Sequence, residues 1–191
     1  AGELAGGHSK KALARFMALT LGLGAFNPTP MPDDELHDAI GRRLKLAIAE
    51  IRWLGAGARG ATGLEDLGPT PDGRAMYRYF RTAGDAAAAG ALVALADHLA
   101  ARDLTLGHED GPTREAQAVI QEAAFPTVTA PRPPLARGDR LMAALGIPAG
   151  PRLGEILDEI AESRAEGLIA TEDEALELAR RLLVTISSPG P

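Results

Sequence analysis

The stretch PRLGEILDEIAESRAEGLIATEDEALELARRLL, residues 151–183, decides the fold class of this 191-residue chain. Pro151 suits the first turn of a helix, where its missing N–H is not needed, and Gly167 suits a helix end. Thr171 and Glu174 match a capping box, in which hydroxyl and carboxylate each accept a free backbone N–H. The pattern predicts two consecutive helices, each with one apolar stripe. The stripes consist of Leu153, Ile156, Leu157 and Ile160, then Ala175, Leu178, Leu182 and Leu183.

Outward from this stretch, the rest of the chain also has a helical pattern. Alanine occurs 37 times and valine four times, which favours helix over strand. We predict an all-α fold, an irregular array of about eight helices with no significant sheet. Residues 55–73, with six glycines and two prolines, are predicted to form a long loop. The other predicted helices cover residues 10–21, 33–53, 72–82, 86–102, 113–124 and 139–145.

Proline-rich connections divide the chain into three predicted parts. Residues 1–32 contain an N-terminal helix and a connection with several prolines. Residues 33–125 form a helical body. Residues 126–191 begin with a stiff proline-rich linker and continue as a C-terminal helical tail.

Composition excludes several kinds of protein. The chain has no cysteine, which excludes disulfides, thiolate metal sites and a cysteine nucleophile, and which fits a reducing compartment. No apolar run approaches the roughly 18 residues of a membrane span, and no segment has the pattern of a secretory signal. We therefore expect a cytoplasmic protein without a membrane partner.

The net charge of −6 is unevenly distributed along the chain. Residues 1–81 carry 11 Lys and Arg against nine Asp and Glu, whereas residues 82–191 carry nine against 17. An anionic partner would therefore meet the first half. A basic cluster in this half, Arg42, Arg43 and Lys45, is a candidate contact, for which an ordinary solvated helix surface is the alternative.

A second basic cluster combines arginine with an aromatic side chain. Arg74, Arg78 and Arg81 recur at i, i+4 and i+7, which places three guanidinium groups on one helical face, and Tyr77 lies between them. Arginine pairs with phosphate oxygens and tyrosine stacks on an unpaired base, so this pattern suits RNA. The alternative is that the arginines cover acidic neighbours while Tyr77 and Phe80 lie in the core.

No pattern in the chain predicts a catalytic constellation. There is no Asp-x-Asp pair for two-metal catalysis, no phosphate loop ending in Gly-Lys-Ser/Thr, and no serine in a Gly-x-Ser-x-Gly elbow. We predict no catalytic residue, no metal ligand and no cofactor in this chain. The adjacent pair His37-Asp38 is of a kind found in metal-dependent phosphohydrolases, but that chemistry needs several converging ligands. A solvated helix position is the simpler interpretation.

Three stretches resemble one protein family. They are RLKL at residues 43–46 followed by Glu50-Ile51, RAMYRYFR at 74–81 with Gly84-Asp85, and PLARGDRLM at 134–142 followed by GPRLG at 150–154, Gly167-Leu-Ile169 and Thr171. Together they resemble the helical C-terminal part of bacterial tRNA nucleotidyltransferases (CCA-adding enzymes) and their poly(A) polymerase relatives. The resemblance spans roughly residues 40–184 and is most specific in its last fifty residues.

The resemblance implies that this chain is the body and tail that hold a tRNA while a separate head adds nucleotides. In the family that head carries the Asp-x-Asp metal site, so Mg²⁺ is expected there and not in this chain. The chain begins with Ala1 rather than Met, and we expect the head to lie upstream. This chain alone is then not catalytic. The resemblance also implies that the two basic clusters contact RNA, whether the whole protein adds CCA or poly(A).

Many relatives also carry a His-Asp phosphohydrolase-like domain before the RLKL helix. Residues 17–24 keep its glycine but neither its His nor its Asp, so we expect only a degenerate remnant in residues 1–32. Two alternatives stay open. One is a metal-dependent phosphohydrolase-like protein, based on His37-Asp38, and the other is a helical protein-interaction module, based on nine acidic residues between 155 and 177.

Overall fold

The computed structural model describes residues 3–4, 6–26, 30–105 and 107–187. Over these ranges the chain is helical, with no strand and one isolated backbone bridge between Glu3 and Ser9. The predicted all-α class is confirmed. None of the described helices combines the length and apolar character needed to cross a bilayer. Their α-helices are α1 (Lys10–Thr20), α2 (Asp33–Arg43), α3 (Ile48–Thr62), α4 (Gly73–Ala83), α5 (Ala87–Ala101), α6 (Gly111–Ala124), α7 (Gly138–Leu145), α8 (Pro151–Ala165) and α9 (Glu172–Ser187).

The chain divides into two compact units. Unit 1 comprises residues 1–71 and 78–129, and unit 2 comprises residues 72–77 and 130–191. Helix α4 therefore contributes its first part to unit 2 and the remainder to unit 1. The three-part division expected from the proline-rich connections stays a prediction.

Helices α3 and α5 of unit 1 approach so closely that glycine is required where they meet. A Cβ atom on Gly90 would lie 2.5 Å from the carbonyl oxygen of Gly57, and one on Gly57 would lie 2.6 Å from Cε of Met17. Both distances are shorter than van der Waals contact. A side chain on Gly90 would force α3 and α5 apart, whereas one on Gly57 would require the Met17 side chain of α1 to move. The core beside this crossing consists of Leu13, Met17, Trp53, Leu54, Ala86 and Val93.

The long loop predicted over residues 55–73 is wrong in its first half, because α3 continues to Thr62. Glycine inside a helix costs about 1 kcal/mol relative to alanine, and this preference led to the loop prediction. Here the glycines are packing positions. A Cβ atom on Gly60 would lie only 2.9 Å from the Cβ atom of Ala83, so close burial offsets the local cost.

The single helix predicted over residues 33–53 is also wrong, because the chain turns between α2 and α3. Lys45 adopts a left-handed backbone conformation, with φ +56°. The N–H of Leu46 donates to the carbonyl of Gly41, and the N–H of Lys45 donates to that of Arg42. These two bonds form a Schellman motif, which ends a helix even where lysine replaces the usual glycine.

Glu50 is completely buried at the start of α3 and fixes the segment before α1. Its carboxylate accepts the N–H of Ala47 at 2.9 Å, the N–H of His8 at 3.0 Å and the His8 Nδ1 donor at 2.7 Å. Burial raises the pKa of Glu50, but the hydrogen bonds from Ala47 and His8 outweigh burial and hold the pKa below its ordinary value.

Unit 2 forms a second core from α7, α8 and α9, and its helix boundaries follow the sequence signals. Pro151 begins α8, and Thr171 and Glu174 form the predicted capping box at the start of α9. Thr171 donates its N–H to Glu174 at 2.9 Å, and Glu174 donates its N–H to the Thr171 hydroxyl at 3.3 Å. The buried core consists of Ala136, Leu141, Leu153, Ile156, Ile160, Ile169, Ala175 and Ala179.

The close crossing predicts opposite effects of the same substitution at two helical glycines. We expect Gly90→Ala to lower the free energy of unfolding by about 2 kcal/mol, because its Cβ atom would overlap the backbone of α3. At Gly154 in α8, nothing lies within 4 Å of the added Cβ atom. We therefore expect Gly154→Ala to raise the free energy of unfolding by about 0.5–1 kcal/mol. Urea unfolding of both variants measures this. Equal changes in the free energy of unfolding of the two variants would contradict the close approach of α3 and α5 at Gly90.

The environment of Glu50 predicts a specific loss of stability in acid. Its pKa is lowered on folding, so its stabilising contribution is complete above the ordinary pKa of 4.5 and falls as the pH drops through the folded-state value. We expect Glu50→Gln to be less stable than the wild type at pH 7 and to converge with it in acid. Thermal unfolding between pH 7 and 3 measures the difference, with exposed Glu155→Gln as the control. A stability difference independent of pH would contradict this role.

Candidate nucleic-acid interface

The turn between α2 and α3 carries the first predicted basic cluster, which we call the basic corner: Arg42, Arg43 and Lys45. All three side chains are exposed. Arg42 donates from Nε and Nη2 to the two oxygens of Asp38, at 2.7 and 3.2 Å. These bonds hold the pKa of Asp38 below its ordinary value. In the part of the chain that the structure describes, Arg43 and Lys45 make no ion pair, so their charges face solvent.

Exposed apolar side chains border the same turn. Leu44 is 56% exposed and Ile48 is 69% exposed, and several other large hydrophobic side chains of the described residues are exposed as well. The corner therefore combines positive charge with apolar surface.

Arg74, the first residue of the second predicted cluster, lies in unit 2 and is surrounded by carboxylates of α8. Nε donates to Glu166 at 2.9 Å, Nη1 donates to Glu159 and Glu162 at 3.1 and 3.2 Å, and Nη2 donates to Glu159 at 2.8 Å and to Ser163 at 3.4 Å. A guanidinium group has five N–H donors, so every donor has a partner. The hydrogen bonds that Arg74 donates to Glu159 and Glu166 raise its pKa above the ordinary value.

The α4–α8 contact that holds Arg74 is tight at the backbone as well. A Cβ atom on Gly73 would lie 2.0 Å from the carbonyl oxygen of Ala165. Glu162 is 4% exposed, and a buried carboxylate is costly unless a cation neutralises it. The hydrogen bonds of Arg74 therefore match the alternative interpretation of the second basic cluster, in which the arginines cover acidic neighbours.

The remainder of α4 belongs to unit 1 and presents Arg78 and Arg81 at the surface, where both side chains are exposed. Tyr77 is half-buried. Among the aromatic residues of α4, Tyr79 is the one buried in the core. It was not identified as a core residue from the sequence. Its hydroxyl donates to the carbonyl of Ala87 at 3.3 Å, and burial raises its pKa. Phe80 packs edge-on against the Tyr79 ring, with 5.9 Å between the two ring centroids.

His37 is buried and not the solvated helix residue that the sequence suggested. Its Nδ1 donates to the carbonyl of Asp33, and its Nε2 lies 2.7 Å from the Thr20 hydroxyl. Both ring nitrogens are therefore occupied inside the fold, while Asp38 is paired with Arg42 at the surface. The adjacent His-Asp pair does not converge on one point. No group of three or more His, Asp or Glu within the described ranges could hold a metal ion.

Sequence reasoning missed a small cavity in unit 1 that we call the acidic cavity. It has a volume of about 470 Å³ and is lined by residues of α3, α5 and α6, by the turn at Glu65, and by Leu21, Gly22 and Asp33. His98 lies at its edge, with Nε2 2.6 Å from Asp110 and Nδ1 2.8 Å from Arg102. Arg102 follows the last residue of α5, four positions after His98. No periodic signal in the sequence could have revealed the cavity, since residues distant along the chain form it.

Comparison with known proteins gives one partial match. The chain is 44% identical over 59 residues to an A-adding tRNA nucleotidyltransferase from Deinococcus radiodurans. The matched segment covers 31% of this chain and 14% of that relative, so the chain spans about a seventh of the relative's length. No protein-family model matches the chain, and no solved structure matches it either. The chain therefore contains a region related to a tRNA nucleotidyltransferase.

The five-donor arrangement predicts a structural role for Arg74. We expect Arg74→Ala to lower the free energy of unfolding of unit 2 by about 2 kcal/mol, because buried Glu162 would lose its cation. Arg180→Ala removes only an exposed pair with Glu177 and is expected to change stability by less than about 0.5 kcal/mol. Urea unfolding followed by circular dichroism measures both. Unchanged stability in Arg74→Ala, together with weakened RNA binding, would assign Arg74 to RNA instead.

Proposed function

We propose that this chain holds RNA, specifically a tRNA, for a protein related to tRNA nucleotidyltransferases. The observation that carries the proposal is the 59-residue match to an A-adding tRNA nucleotidyltransferase. The motifs at residues 43–51, 74–85 and 134–175 support it, because they extend the likeness over most of the chain. Because that relative is a tRNA nucleotidyltransferase, we propose that the bound RNA is a tRNA rather than a poly(A) tail.

The contacts we propose are electrostatic and are made mainly by unit 1. Arg43 and Lys45 are exposed and lack an ion-pair partner among the described residues, so a phosphate could approach them without breaking an existing bond. Arg78 and Arg81 are exposed on α4. Phosphate contacts of this kind release counterions and give binding that weakens steeply with salt.

The other predicted RNA contacts enter the proposal in lesser roles. Arg42 already donates two hydrogen bonds to Asp38. Its guanidinium group therefore adds to the local positive potential but is not free to bind a phosphate. Arg74 has all five donors engaged by α8 and supports the fold. Tyr77, half-buried beside Arg78 in sequence, is the ring we propose to stack on an unpaired base.

We propose further that nucleotide addition resides in a catalytic head outside this chain. Two-metal chemistry requires carboxylates close enough to hold ions about 4 Å apart. We expect Mg²⁺ to be held by that head, and we expect this chain alone to bind tRNA without extending it. The phosphohydrolase alternative has less support, because both ring nitrogens of His37 are used within the core.

Charge removal at the basic corner tests the proposal. We expect the double variant Arg43→Glu, Lys45→Asn to bind tRNA about tenfold more weakly at low salt, and the slope of log Kd against log salt to fall by about two. Asparagine tolerates the left-handed backbone that residue 45 adopts, so the turn should persist. Fluorescence anisotropy with a labelled tRNA measures both quantities.

The matched control is Arg15→Glu, Lys11→Asn on α1, which makes the same change in charge at two exposed positions outside the basic clusters. We expect this variant to retain most of the wild-type affinity. Equal weakening in the two double variants would indicate attraction by overall charge alone. Absence of tRNA binding by the wild-type chain at low salt would contradict the proposal and favour a protein partner.

A further inference from the structure

The acidic cavity of unit 1 contains a carboxylate for which the fold supplies no partner. Glu115 on α6 lines the cavity and is 6% exposed. Among the residues that the structure describes, none gives its carboxylate a hydrogen bond or an ion pair. By contrast, the buried carboxylate of Glu122 accepts four hydrogen bonds from Thr127 and Thr129.

Keeping Glu115 ionised in this position is unfavourable for the isolated fold. Burial raises its pKa, and the nearby carboxylates of Glu65 and Asp110 raise it further, while His98 acts in the opposite direction. A buried charged group without a partner destabilises a protein. A ligand that brings positive charge into the cavity would remove this penalty.

Most of the remaining charged side chains of the lining are carboxylates. The carboxylates of Asp33, Glu65 and Asp97 also line the cavity, and Arg102 is the cation of the lining. Arg102 donates to the Nδ1 atom of His98 and has no carboxylate partner in the described ranges. A cleft whose charges are predominantly negative focuses a negative potential and attracts a cation.

We propose that the acidic cavity binds a small organic cation with more than one ammonium group, the class of linear diamines and polyamines. An ammonium group offers three N–H donors, which suits the unpartnered Glu115 carboxylate. Second and third ammonium groups would lie among the exposed carboxylates of Glu65 and Asp97. A volume of about 470 Å³ lies in the usual range of small-molecule sites.

A bare metal ion is the less suitable occupant. A hard divalent cation needs several oxygen ligands converging at about 2.0–2.6 Å, and no such group of three acidic or histidine side chains occurs within the described ranges. An ammonium group instead accepts looser geometry. Binding at this cavity does not depend on the RNA-binding proposal, because it uses none of the basic residues.

Calorimetric titration of the full chain, free of nucleic acid, with spermidine tests the proposal. We expect one saturable site, with N-butylamine binding more weakly and neutral 1,4-butanediol not binding. Glu115→Gln should weaken spermidine binding about tenfold or more, since a charge-assisted hydrogen bond becomes a neutral one. Thermal unfolding verifies that this variant is folded, and we expect it to be at least as stable as the wild type.

Two further variants make the result decisive. Asp97→Asn at the exposed part of the lining should weaken binding about threefold, since it removes one of several charges. Glu155→Gln makes the same chemical change as Glu115→Gln at an exposed position on α8 and should leave the affinity unchanged. Equal weakening by Glu115→Gln and Glu155→Gln, or no saturable binding by the wild type, would overturn the proposal.

Discussion

The contact between the backbones of α3 and α5 is the constraint on which the rest of unit 1 depends. Gly90 lies against the carbonyl of Gly57 with no room for a methyl group, so the helices meet at main-chain distance. Their neighbours are small for the same reason, and Ala58, Ala86, Ala87 and Ala91 are almost fully buried. The buried alanines beside this crossing are thus explained by close packing. Helix α3 begins at the basic corner, and α5 lines the acidic cavity, so both candidate sites are built on this crossing.

Arginine side chains of similar sequence context have different roles in this structure, and their surroundings decide which. Arg74 has five donors engaged by α8, Arg42 is held by Asp38, and Arg43 projects into solvent. Only a cation without a strong local partner can bind phosphate at little cost, because an existing charge-assisted bond must otherwise be broken. The RNA contact that we propose therefore lies at the corner between α2 and α3 rather than at Arg74.

The sequence predicted those features that depend on local signals. Helices α8 and α9 followed from Pro151 and from the capping box of Thr171 and Glu174, which satisfy backbone groups close by in the chain. The break at Lys45 was missed because its left-handed backbone is an uncommon choice for lysine. The helical glycines of α3 were misinterpreted because their partner, Gly90, is distant in sequence. Glu115 was missed because burial without a partner is a property of the tertiary structure alone.

Hydrogen–deuterium exchange of the chain with and without tRNA tests most directly whether the corner between α2 and α3 holds RNA. A bound phosphate backbone shields the amides of a turn and restricts its opening. We expect tRNA to slow exchange in peptides covering residues 41–48 and 78–83, and to leave residues 172–183 of α9 unchanged. Protection confined to α8 and α9, or no protection anywhere at a tRNA concentration that saturates binding, would contradict the assignment of the RNA contact to unit 1.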